Sequence, residues 1–104
     1  MSAVRKSPNM TQKPTTKEAA DGKSLLIELR ATSHSEPQIA WLVNGAQVQD
    51  GGRYKLVFKK EQGDAYYASL NVSDTQKGAT ATKYEVKLRN DAGESSAWIQ
   101  SFLG

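Results

Sequence analysis

The chain has 104 residues, a formal net charge of +3 and no cysteine. This length is typical of one domain that buries a single hydrophobic core. No stretch approaches the roughly 20 apolar residues of a membrane helix. The excess positive charge lies within residues 1–24, so the rest of the chain lacks the net basic charge typical of nucleic-acid-binding domains. Small secreted domains usually carry disulfides, and the absence of cysteine therefore favours a reducing, intracellular compartment.

The N-terminal segment is polar and contains two prolines, Pro8 and Pro14. We therefore expect residues 1–16 to form a disordered tail or linker and residues 17–104 to form the folded domain. In the alternative interpretation Pro14 marks a first edge strand, where proline is tolerated. Ser7 precedes Pro8 and follows two basic residues. This arrangement resembles a proline-directed phosphorylation site, although so short a motif also occurs by chance.

From Gly22 onward, apolar and polar residues alternate in short runs, as in strands that are buried on one side. Glycine-containing turn signals separate the runs, and no stretch shows the periodicity of a helix. Residues 73–82 are polar and predict a connecting loop. The sequence therefore predicts an all-β sandwich of two antiparallel sheets. The predicted strands contain residues 25–31, 39–43, 54–58, 68–72, 84–88 and 94–103.

Four residues have the spacing that marks an immunoglobulin domain. Trp41 follows Leu29 by twelve positions, and Tyr84 precedes Val86 by two, ahead of the turn at residues 90–93. With these features the chain resembles the intermediate-set (I-set) immunoglobulin domains of giant muscle proteins such as titin, twitchin and obscurin. The resemblance covers about residues 17–103 and implies an immunoglobulin-like sandwich without a disulfide.

The resemblance also implies roles for these four residues as a structural core. Leu29 and Val86 would occupy the two positions that carry cysteines in most immunoglobulin domains, with Trp41 packed over them. Tyr84 would form a tyrosine corner, its hydroxyl donating to backbone upstream. One departure from the family is that residues 80–83 lack the Asp-x-Gly sequence that often precedes this tyrosine.

We expect no catalytic residue, no cofactor and no metal site. His34 is the only histidine and falls in a predicted loop, so no catalytic triad or zinc site can be assembled around it. Asp64, Asp74, Asp91 and Glu94 lie in predicted turns. Acidic residues there usually form the turn itself, although a calcium site is the alternative.

Two sets of residues are candidates for partner contact. Trp98 and Phe102 share one face of the last predicted strand and point outward if Ala97 and Ile99 point to the core. A register shift or bulge would instead turn both aromatic rings inward. The second candidate is an outward apolar strip, which would contain Tyr66, Tyr67, Val57 and Leu42.

The residues and the resemblance together predict a non-enzymatic structural or protein-binding module of a large cytoplasmic, sarcomeric protein. Its partners would be cytoskeletal proteins or neighbouring immunoglobulin domains, without nucleic acid or membrane, and the isolated domain would be a monomer. The alternative is an extracellular adhesion or receptor domain that lacks its disulfide. Sequons for N-glycosylation at Asn9 and Asn71 would matter only in that case.

Overall fold

A computed structural model describes residues 6–103 of the chain. Its eight strands form two four-stranded sheets, ordered β1-β2-β6-β5 and β4-β3-β7-β8, and neighbouring strands in each are antiparallel. The predicted all-β sandwich is confirmed, and the part of the chain described has no helix able to cross a membrane. The strands are β1 Asn9–Glu18, β2 Ser24–Thr32, β3 Gln38–Val43, β4 Ala46–Val48, β5 Tyr54–Lys60, β6 Ala65–Ser73, β7 Lys77–Asn90 and β8 Gly93–Leu103.

One apolar layer between the two sheets forms the core. In β2 every second side chain is buried, because successive residues of a strand point to opposite faces. The same alternation in β7 buries Tyr84, Val86 and Leu88. A single buried cluster contains side chains from both sheets, and these are Leu25, Ile27, Leu29, Ala31, Trp41, Ala68, Leu70, Val72, Tyr84, Val86, Leu88 and Leu103.

The four residues expected at the centre of the core all lie inside this cluster. Leu29, Trp41, Tyr84 and Val86 are each at most 1% exposed. Trp41 pairs with Val86 across β3 and β7, whereas Leu29 lies on β2 of the opposite sheet. The indole ring and the two aliphatic side chains thus fill the interior from both sides.

The N-terminal segment differs from the prediction of a disordered tail over residues 1–16 and a domain beginning at 17. Asn9–Glu18 forms β1 at the edge of the first sheet, paired with β2. Residues 1–5 of the predicted tail lie outside the described residues. The alternative interpretation, in which Pro14 belongs to a first edge strand, is therefore the one that the structure shows. The sequence did not favour it because Met10 is the one strongly apolar residue of β1. Pro14 lies where the β1–β2 register is interrupted, and the lost N–H bond is tolerated at such a position.

The connection predicted over residues 73–82 is also corrected, because β7 begins at Lys77. A register break against β8 lies between Lys77 and Thr82. The backbone upstream of Tyr84 is therefore extended beside β8. The Tyr84 hydroxyl donates to the downstream carbonyl of Leu103, at 2.7 Å, rather than to backbone upstream as the resemblance implied. Burial of the ring raises the pKa of Tyr84.

Val86→Ala tests the aliphatic core. We expect it to lower the free energy of unfolding by about 1–3 kcal/mol, because it removes two fully buried methyl groups. Gln47→Ala, at an exposed position of β4, is the matched control and should change stability by less than about 0.5 kcal/mol. Urea unfolding measures both variants, and equal values for the two would contradict the packing described.

Deletion of residues 1–16 tests whether β1 stabilises the domain. The deletion removes most of the pairing with β2, and we expect the melting temperature to fall by at least about 5 °C, a shift that roughly 1 kcal/mol produces in a domain of this size. Lys13→Ala, at an exposed position of β1, serves as the control and should melt like the parent. An unchanged melting temperature after the deletion would mean that β1 contributes no stability.

Candidate protein-interaction surface

The outer face of the second sheet carries the largest exposed apolar side chains of the described residues. Trp98 is 58% exposed and Phe102 is 54% exposed, both on β8. Ala97 and Ile99 pack against the core, and Leu103 is buried. The alternation along β8 therefore points both aromatic rings outward, and no bulge reverses it between residues 93 and 101.

Two charged residues of opposite sign neighbour Trp98 on this face. The Lys83 ammonium lies 5.2 Å from the ring centroid, which is a cation–π distance. Glu85 pairs with Trp98 across β7 and β8, and Leu42 pairs with Glu85 across β3 and β7. An apolar ring flanked by charges of both signs can anchor a partner and also select its orientation.

Lys83 was not singled out from the sequence. Alternation beside Tyr84 and Val86 already indicates that Lys83 and Glu85 point outward. The register between β7 and β8 decides which residue of β8 lies beside Lys83 and Glu85. The hydrophobic pattern alone does not determine that register.

The β8 backbone is a sheet edge. Among residues 6–103, β8 forms a sheet ladder only with β7. Over its length from Gly93 to Leu103 it contains one charged residue, Glu94, and no proline. Exposed edges are commonly protected by lysine, proline or a short strand. β1 and the segment before it approach this edge at the start of β8, where the Ser95 hydroxyl donates to the Pro8 carbonyl. Apart from this approach, the strand has little such protection of its own.

The outer face of the first sheet is different, and the apolar strip predicted there does not form. Tyr66 is buried and stacks on Phe58, with 5.5 Å between ring centroids. Leu42 belongs to the other sheet. Tyr67 is half-buried, and the charged groups of Arg30 and Lys59 each lie 5.2 Å from its ring centroid. Cations thus cover the aromatic ring that the strip would have exposed.

Glu28 completes the polar cover of this face. The Tyr67 hydroxyl donates to its carboxylate at 2.6 Å, and the Lys17 ammonium lies 3.2 Å from the other oxygen. The bond from Tyr67 is the main reason why the pKa of Glu28 is lowered, with Lys17 and Arg30 adding to this and burial opposing it. The same bond is the main reason why the pKa of Tyr67 is raised.

Of the remaining candidate residues, His34, Asp64, Asp74 and Asp91 lie between strands, whereas Glu94 belongs to β8. His34 Nε2 lies 2.5 Å from Asp91 Oδ1, which links two loops at one end of the sandwich. The backbone carbonyl of Asp64 accepts from the Ser33 N–H at 2.9 Å. Within residues 6–103 no three histidine, cysteine or acidic side chains come close enough to hold a metal ion.

The family model for the immunoglobulin I-set domain matches residues 8–100. The chain belongs to the immunoglobulin I-set family. It is 38% identical over 84 residues to titin of Drosophila melanogaster, a match that covers 81% of this chain and 0% of titin's own length. The predicted resemblance is thereby confirmed. The family match also includes all of β1, most of which lies in the segment predicted to be disordered.

Solved I-set structures have the same fold. An I-band fragment of titin superposes with a TM-score of 0.75 at 25% identity, over 93% of this chain and 32% of that fragment. A complex of titin with an obscurin-like 1 immunoglobulin domain has a TM-score of 0.68 at 21% identity, over 91% of this chain and 90% of that one. The chain therefore spans a small part of titin and about a third of the I-band fragment.

The Glu28–Tyr67 bond predicts a dependence of stability on acid pH. Because the pKa of Glu28 is lowered by folding, its contribution is complete above its ordinary value of 4.5 and is lost as the pH falls through the lower folded pKa. The free energy of unfolding should therefore decrease less between about pH 6 and pH 3 in Tyr67→Phe than in the parent. The measurement is urea unfolding across that range.

Glu28→Gln provides the control for this prediction. In a Glu28→Gln background, Tyr67→Phe should no longer alter the acid dependence, because the titrating group is gone. An equal effect of Tyr67→Phe in both backgrounds would show that the hydroxyl acts on stability through another group.

Proposed function

We propose that the chain is a non-enzymatic structural and protein-binding module of a large cytoskeletal protein of the sarcomere. The observation that carries the proposal is the exposed pair Trp98 and Phe102 on an edge strand, in a domain whose other outer face is covered by charged groups. Aromatic anchors contribute most of the binding energy in many protein interfaces. The module acts as a monomeric spacer that offers this face to a filament protein or a neighbouring domain.

Three further observations support an intracellular, sarcomeric host. Titin is the relative with 38% identity over most of this chain. A structurally similar immunoglobulin domain belongs to a complex of titin with obscurin-like 1. The chain lacks cysteine, and its core is filled by Leu29 and Val86, as suits a reducing compartment.

Labelling of demembranated striated-muscle myofibrils tests the proposal. The fluorescent chain should bind in a regular striped pattern, and Trp98→Ala should weaken that binding by at least about tenfold, as loss of an aromatic anchor commonly does. The variant should also unfold within about 0.5 kcal/mol of the parent, because Trp98 lies outside the core.

Gln100→Ala is the matched control, because Gln100 is exposed on the same face of β8, two residues from Trp98. It should bind like the parent. Diffuse labelling by the parent chain would contradict the sarcomeric host. Equal binding by the Trp98 and Gln100 variants would instead remove the aromatic face from the proposal.

A further inference from the structure

The segment just before β1 is held against the β7–β8 hairpin. The Asn90 side-chain amide donates to the Lys6 carbonyl at 2.7 Å, and the Ser95 hydroxyl donates to the Pro8 carbonyl. Between them, a Cβ atom at Gly93 would lie 3.2 Å from the Cβ of Ser7. The close approach of Ser7 to the hairpin therefore depends on the absence of a side chain at Gly93.

The two residues of the Ser-Pro motif differ in exposure within this segment. Ser7 is exposed, whereas the Pro8 ring is among the most completely buried side chains. Ser7 is also the only serine or threonine of the chain that is followed by proline. A kinase that selects this dipeptide must contact the proline, because its ring and its missing N–H are what distinguish it from other residues. In the folded domain the ring cannot be contacted.

We propose that Ser7 is a phosphorylation site for a proline-directed serine/threonine kinase, and that it is modified only while residues 6–8 are detached from the β7–β8 hairpin. In the reaction the Ser7 oxygen forms a bond to the γ-phosphorus of magnesium-bound ATP. The bond from that phosphorus to the β,γ-bridging oxygen breaks, and ADP leaves. The hydroxyl proton passes to a carboxylate base of the kinase.

Detachment of this segment does not require the core to unfold. β1 is an edge strand with two register breaks in its pairing with β2. Segments with interrupted pairing and few buried side chains open at lower free energy than core strands. If the chain is a spacer within a larger protein, as proposed above, tension at its N-terminus pulls on this segment first. Detachment by tension rests on the proposed function, whereas spontaneous opening of the segment does not.

Phosphorylation kinetics test the proposal on the full chain. The chain is incubated with a purified proline-directed kinase and Mg-ATP, and phosphate at Ser7 is measured by mass spectrometry. A peptide of residues 1–14 provides the undocked reference. We expect the peptide to be modified more than about tenfold faster, because the rate in the folded chain follows the population of the open segment. Ser7→Ala in the full chain should abolish the signal.

Ser95→Ala tests whether docking of residues 6–8 on the hairpin limits phosphorylation, because it removes the hydroxyl that donates to the Pro8 carbonyl. It should raise the rate in the full chain about fivefold, the factor that one ordinary hydrogen bond contributes to an opening equilibrium. Ser96→Ala, at the exposed neighbouring position, is the matched control and should leave the rate unchanged. Circular dichroism melting confirms that both variants are folded.

Three results would overturn the proposal. An unmodified peptide would mean that Ser7 is not a site for such a kinase. Equal rates for the peptide and the folded chain would mean that docking does not protect Ser7. Equal rates for the Ser95 and Ser96 variants would mean that the bond to the Pro8 carbonyl does not limit phosphorylation of Ser7. The assay contains no muscle protein and no tension, so it stands or fails independently of the myofibril experiment.

Discussion

The structure depends on one apolar layer, in which two four-stranded sheets close over each other without a covalent link. Trp41 and Val86 fill it from the second sheet and Leu29 from the first. A disulfide at such a position stabilises a domain by about 2–4 kcal/mol. Full burial of an aliphatic side chain contributes about 1.5–3 kcal/mol. Two aliphatic residues can therefore substitute for the disulfide, and the fold has no dependence on an oxidising compartment.

Closing the core leaves the two outer faces free to differ. On the first sheet, Glu28, Arg30 and Lys59 surround Tyr67, so its ring is paired with charged groups. On the second sheet Lys83 lies over Trp98, which stays more than half exposed. This asymmetry is the reason for proposing the β8 face as the partner-binding surface. At the edge of the first sheet, β1 pairs with β2 through an interrupted register and contributes no residue to the fully buried cluster.

Much of the fold could be predicted because strands buried on one side alternate in hydrophobicity. That alternation gave the centre of β2. It left two orientations open for Trp98, and the structure has the outward one. It failed for β1 and for the start of β7, where both faces are largely exposed and polar. These two segments are extended because they pair with β2 and β8, which are distant in the sequence. The bond from Tyr84 to Leu103 is likewise a contact between distant residues. No local sequence pattern encodes such contacts.

Native-state amide hydrogen exchange, measured by NMR, tests the central claim most directly. If the apolar layer holds the sheets together, amides at the centres of β2, β3, β6 and β7 should exchange only through global unfolding. Amides of β1 should exchange through a smaller opening at lower free energy. Core amides that exchange through local openings, or β1 amides as protected as those of β7, would contradict the account.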